Sequence, residues 1–251
     1  MLSRPQPKRV RKSPEARRAE IVAAASAIAL AEGLECVTLR RVADELAVRP
    51  GLISHYFPVT EDLVAEAFGA AASGELDELI PATAPLPGTD APATATEDRD
   101  SDSDARDAAT HDAGGTGSGD AAGRDAVSRL ARFFALTSGP RYDGMSRLWL
   151  NARHLSRYRD TLRERVAHQE SLWRERLSGL LREGDAAGEF RAAEPDLTAM
   201  RILVVMDGLA SHANLGREIH PESVRRMAAA TAERELGLPD GRLTLPPSTP
   251  V

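Results

Sequence analysis

The chain has 251 residues, 28% of them charged and 42% hydrophobic, with one cysteine and a formal net charge of −6. That length can bury a substantial core in one large or two small domains, and the lone Cys36 excludes an intramolecular disulfide scaffold. No apolar run reaches the roughly 18–20 residues of a membrane span, and no apolar segment follows the basic N-terminus as in a secretory signal, so a cytoplasmic protein with no membrane partner is expected.

Residues 1–12 carry two prolines and several cations without periodicity, and read as a disordered basic arm. Within the first 18 residues Arg4, Lys8, Arg9, Arg11, Lys12, Arg17 and Arg18 face only Glu15, so the acidic excess lies elsewhere. Such an arm suits contact with phosphates, although a plain solvated tail has the same composition. Ser13-Pro14 then supplies a cap and a first-turn proline for a helix with Ile21, Ala24, Ala25 and Ile28 on one face, stopped at Gly33. Leu34 and Val37 are expected to plug the core behind it, with Cys36 a small buried neighbour.

The stretch Thr38–Phe57, TLRRVADELAVRPGLISHYF, reads as two short amphipathic helices with a break between them. Thr38 caps the first, whose stripe is Leu39, Val42, Ala43 and Leu46. Val48-Arg49-Pro50 ends it, because proline disfavours helical geometry in the residue before it yet suits a new first turn. In the second helix Leu52, Ile53, Tyr56 and Phe57 point inward. A step of about 100° per residue turns Gly51, Ser54 and His55 outward. Helices this short need a third to pack on, which gives a helix-turn-helix with small and polar groups available to base edges.

A longer helix is expected over Thr60–Ile80, with Leu63, Val64, Ala67, Phe68 and Ala71 on one face. Residues 81–124 are dominated by Ala, Asp, Thr, Gly, Ser and Pro and read as a disordered insertion. An acidic segment competing with DNA for the basic arm is the functional alternative to a solvated loop. Helical periodicity resumes at Asp125, with Val127, Leu130, Ala131 and Phe134 in one helix ended by Gly139-Pro140, and Leu148, Trp149, Ala152 and Leu155 in the next. Arg159–Glu183 forms a long helix stopping at Gly184, and the tail from Gly237 to residue 251 reads as unstructured.

No histidine pair has metal-ligand spacing, and no GxSxG, phosphate-loop or GxGxxG motif is present. No catalytic residue, metal or cofactor is therefore expected.

The Thr38–Phe57 stretch, together with AEGLECVTLRRVADEL, resembles the DNA-binding motif of TetR-family transcriptional regulators over roughly residues 17–68. The ending GLISHYF is close to the BetI-type (choline-responsive) branch, and REGDAAGEFRAAEPDLTAMRILVVMDGLASHANLG resembles that branch's C-terminal region. Three positions depart from the family pattern. Ala47 stands where the turn usually has glycine, Arg49 replaces a capping serine, and Thr60 replaces a phosphate-touching lysine.

The resemblance implies an all-α protein: a three-helix helix-turn-helix domain (13–59), a linker helix (60–80) and a C-terminal ligand-binding and dimerisation domain (125–236). Helices near Leu197–Leu215 and Pro221–Leu236 would form the dimer interface. The implied partners are a palindromic double-stranded DNA operator, a second copy of the chain and an unknown small-molecule effector, with nucleoid association in the cytoplasm. Facing and family pattern together give Gly51, Ser54 and His55 as base-edge candidates. Thr38, Arg40, Arg49, Pro50, Tyr56 and Thr60 are the phosphate or boundary candidates. Trp149, Asn151, His154 and Trp173 are the effector candidates, although tryptophan on an apolar helical face is ordinarily core. A ligand-responsive homodimeric repressor is the leading reading. An activator of the same family, or a ligand-binding helical protein retaining the motif as scaffold, are the alternatives.

Overall fold

The computed structural model describes residues 12–82, 125–137, 140–215 and 222–244, which are entirely helix and turn. The basic arm up to Arg11, the insertion from residue 83 to 124 and the last seven residues lie outside this set.

Helix α1 spans Pro14–Glu32, with the Ser13 hydroxyl accepting from the Ala16 amide. It leads through a 3-10 turn, Leu34–Cys36, into α2 (Leu39–Glu45) and α3 (Pro50–Tyr56). Thr38 caps α2 by accepting from the Arg41 amide. The break between α2 and α3 closes as a Schellman-type turn, in which Val48 donates to the Ala43 carbonyl and Ala47 to that of Asp44. Ala47 takes the left-handed position at φ 51°, so the turn keeps the geometry glycine favours despite the alanine. Ile21, Ala25, Ile28, Leu34, Val42, Ile53 and Phe57 are fully buried between the three helices. Cys36, expected inside, is exposed. Its turn directs Leu34 and Val37 inward instead.

Helix α4 (Thr60–Leu79) follows, with Val59 as its N-cap residue. Thr60 is thus the first helical residue and makes no cap bond. The α4 helix is buried on several sides because α1, α5 (Ala126–Leu136), α6 (Pro140–Ser156) and α7 (Asp160–Ala186) all pack on it. Proline opens α6 in its first turn, so this helix begins well before the apolar periodicity near Leu148. Helix α7 runs past Gly184, which is not a stop. A Cβ there would come within 2.1 Å of the Phe190 ring, so the glycine permits close packing.

Helix α8 (Pro195–Leu215) packs on α6, α7 and α10 (Met227–Leu236). A single turn, α9 (Glu222–Arg225), precedes α10. From Gly237 to Thr244 the chain is ordered, contrary to the unstructured tail expected: Leu243 is buried, and its amide donates to the fully buried Glu233 carboxylate. One continuous hydrophobic core runs through both modules.

Candidate nucleic-acid interface and ligand cavity

The α3 helix presents the face expected from its sequence. Ile53 and, just beyond the helix, Phe57 are buried, while Pro50, Gly51, Ser54 and His55 are exposed and Tyr56 is half-buried. The His55 ring packs edge-on against Tyr56 at 5.3 Å, and the Ser54 hydroxyl donates back to the Gly51 carbonyl. A Cβ on Gly51 would meet nothing within 4 Å, so the fold does not require glycine there. The small residue leaves room for an incoming surface.

Around this face Thr38, Arg40 and Arg49 are exposed, and Thr60 is half-buried. Among the described residues Arg40 and Arg49 form no ion pair, which leaves both guanidinium groups free for phosphates. Arg41 is occupied: it bridges Glu32 at 2.6 Å and Glu45 at 2.8 Å, bracing α2 against the end of α1. The cations at the start of α1 are similarly engaged, with Lys12 and Arg17 both on Glu20. Arg18 lies 4.5 Å from the Phe57 ring centroid and pairs with Glu66, tying α1 and the end of α3 to α4.

A second feature lies in the C-terminal module. A cavity of about 250 Å³ opens between α6, α7 and α8, walled by Tyr142, Trp149, Trp173, Met200, Leu203 and Met206. The structure brings Trp149 and Trp173 together edge-to-face at 6.1 Å, although they come from different helices. It leaves Asn151 and His154 outside this cavity. His154 is exposed against Tyr158, and Asn151 faces the N-terminal module, where it bonds to Leu34 and Glu35.

Arg153 also lines the cavity, with its guanidinium 5.1 Å from the Trp149 ring centroid. It pairs with Glu170 and Asp207, each at 2.9 Å, linking α6 to α7 and α8. Behind the wall, the Trp149 indole N–H donates to Glu75 of α4 at 3.2 Å. The other Glu75 oxygen and the Trp173 indole N–H are buried without partners among the described residues. Burial pushes the Glu75 carboxyl up to about 8, against the Trp149 hydrogen bond and with help from Glu78, so it is held largely neutral at pH 7. Burial, with Glu75 and Asp207 nearby, also raises the Tyr142 hydroxyl. Sequence periodicity identified Trp149 and Trp173 as inward-facing. It carries no signal for Glu75, which looks like an ordinary solvated glutamate until α6 packs over it.

Large apolar side chains are exposed in the C-terminal module. Leu197, Met200 and Val204 form a stripe along α8, 37%, 46% and 63% exposed, and Met227 at the start of α10 is 45% exposed. No described helix is long and apolar enough to cross a membrane, and no cluster of metal-binding side chains occurs among the described residues.

Comparison with known proteins gives two family matches. Residues 21–67 match the model for bacterial regulatory proteins of the tetR family, and residues 124–237 match the C-terminal model of BetI-type transcriptional repressors. Together they span more than half of the chain. No curated protein matches. Among solved structures, a protein assigned as a TetR-family transcriptional regulator from Rhodococcus sp. superposes with a TM-score of 0.60 at 19% identity, over 88% of this chain and 98% of the other. A protein from Saccharomonospora viridis, assigned as a transcriptional regulator and solved with choline, gives 0.59 at 18% identity over 88% and 97%. The transcriptional regulator FadR from Bacillus subtilis, solved with stearoyl-CoA, gives 0.52 at 16% identity over 87% and 97%. At such identities the likeness is one of fold.

Proposed function

Since the chain belongs to the TetR family of DNA-binding transcriptional regulators, we propose that it acts as a ligand-responsive homodimeric repressor, reading a palindromic operator through α3. The observation that carries this reading is the outward face of α3: a helix seated by Ile53 and Phe57 that offers Gly51, Ser54 and His55 to the major groove. Arg40 and Arg49 flank it as phosphate anchors, with Pro50 setting the helix start and Thr38, Tyr56 and Thr60 at its boundary. The regulator works in the cytoplasm, on the nucleoid.

The second copy docks on the Leu197–Met200–Val204 stripe of α8, whose Met200 and Val204 also line the cavity, and on α10, where exposed apolar side chains otherwise face water. Two-fold symmetry then sets two α3 helices one helical turn, about 34–36 Å, or a small multiple apart.

The effector enters the cavity between Trp149 and Trp173. The volume suits a small compact molecule, far smaller than the acyl-CoA found in FadR. Choline in the Saccharomonospora protein favours a small ligand, but in this chain the Trp149 face is already covered by the Arg153 guanidinium. A small, flat organic molecule that packs against the aromatic and apolar lining fits the cavity. It regulates only by preferring the conformation that cannot bind DNA.

The decisive test is binding of the full chain to the DNA flanking its own gene across a salt series. A reader of DNA loses affinity steeply with salt, because each neutralised phosphate releases counterions. Weak binding that is indifferent to sequence and salt would instead support a helical ligand-binding protein that keeps the motif as scaffold.

A further inference from the structure

The 3-10 turn Leu34–Cys36 seats the helix-turn-helix: it buries Leu34 completely and ends just before the Thr38 cap of α2. No side chain of its own segment caps this turn. Its first amide is satisfied from 117 residues away, where the Asn151 carboxamide oxygen accepts from the Leu34 N–H at 3.0 Å. The Asn151 amide nitrogen donates to Glu35 at 2.6 Å, so one side chain on α6 grips the turn twice. A buried helical-turn amide without a partner is costly, which makes this contact a cap supplied across the two modules.

The opposite side of the same helix walls the cavity. Trp149 and Arg153 lie two residues either side of Asn151, and at about 100° per residue both project away from it. Trp149 further bonds to Glu75 of α4. The α6 helix therefore touches the cavity on one face and both supports of the reading module, α4 and the α1–α2 turn, on others.

We propose that Asn151 is a positioning residue for DNA reading, fixing the α1–α2 turn against α6 so that events at the cavity face of α6 reach the helix-turn-helix directly as well as through α4. The positioning role rests on the DNA-reading function, and the second clause rests also on the cavity being the effector site. Asn151 presents both an acceptor and a donor, and Glu35 matches only the donor. Asn151→Asp keeps the acceptor for Leu34 but sets a carboxylate against Glu35. Adding Glu35→Gln restores a donor–acceptor pair in reversed polarity.

The test uses the full-length protein and a duplex that the parent selects from a random pool. Asn151→Asp should weaken binding to that duplex about tenfold while thermal stability and binding to random DNA stay within about twofold, and the Asn151→Asp/Glu35→Gln pair should recover most of the loss. Amide exchange at Leu34 should accelerate in the single variant and return in the pair. Unchanged affinity in the single variant, or a pair no better than it, overturns the proposal. A parent that selects no sequence overturns it together with the DNA-reading premise. Arg153→Met tests the second clause, because Arg153 lies on the cavity face of α6 and its ion pairs run to α7 and α8, not to α4. Faster Leu34 exchange supports the direct route, and unchanged exchange removes it. A failed effector reading would show differently, as a chemical library in which nothing quenches the tryptophan emission, with the Asn151 results intact.

Discussion

Glu75 offers a sharp test of the packing between the linker helix and the regulatory module. It lies on α4, 9% exposed, with one oxygen accepting from Trp149 and the other unpartnered, and its carboxyl is raised from 4.5 to about 8. Below about pH 4.5 the group is protonated in both folded and unfolded chains. Between there and about pH 8 the unfolded chain has lost the proton while the folded protein keeps it, so stability falls as pH rises. Above about 8 the slope ends. At about 1.4 kcal/mol per pH unit, the interval from 4.5 to about 8 sets an upper limit of roughly 5 kcal/mol lost across this window. Glu75→Gln fixes a neutral side chain that still accepts from the Trp149 indole. Urea unfolding at fixed protomer concentration, from pH 5 to pH 9, should place the variant within about 1 kcal/mol of the parent at pH 5 and about 2–5 kcal/mol above it at pH 9. Other titrating groups act alike in both proteins, so the difference curve isolates Glu75. A flat difference curve, or a variant less stable at pH 9, would refute the raised carboxyl itself and with it the desolvating packing around Glu75.

Four further outcomes are expected. His55→Ala should leave the helical signal and melting unchanged yet lose about 1–3 kcal/mol of discrimination between selected and random DNA, measured by competition binding, because the side chain is exposed on α3. Gly51→Ala should also fold at least as stably as the parent, since its Cβ meets nothing, but bind the selected duplex more weakly; equal affinity would take Gly51 off the interface. Ala47→Gly should raise stability by about 0.5–1 kcal/mol in denaturant unfolding, the relief at φ 51° exceeding the entropy glycine adds to the unfolded chain. Val204→Arg, at an apolar position of α8 that is 63% exposed, should give a monomer by sedimentation with its helical content intact. An unchanged dimer would move the interface elsewhere.

Local chemistry made much of this protein legible from sequence. The Ser13 and Thr38 caps, the proline at the start of α3 and the apolar spacing of α1 to α4 act within three or four residues, so pattern alone located those elements and the outward set Gly51, Ser54 and His55. The motif was long enough to identify the family, and the inward tryptophans of α6 and α7 followed from helical periodicity. Departures from the pattern at Ala47 and Arg49 altered side-chain detail, not the turn, because two backbone hydrogen bonds and the packing of α2 on α3 hold Ala47 in the left-handed region.

Whatever depends on which distant surfaces meet was decided by tertiary structure. Asn151 and Trp149 carry the same sequence signal, a polar or aromatic residue on an amphipathic helix. Only the packing of α6 against both modules sends one to the α1–α2 turn and the other to the cavity. Glu75 became a buried neutral carboxyl, Cys36 an exposed thiol and Gly184 a packing necessity for the same reason. Burial is a property of neighbours, and for these residues the neighbours are set by helix packing that no local pattern encodes. Residues 237–244 show this for the backbone as well: a proline- and glycine-containing tail is ordered because Glu233, sealed inside α10, takes its amide as a partner.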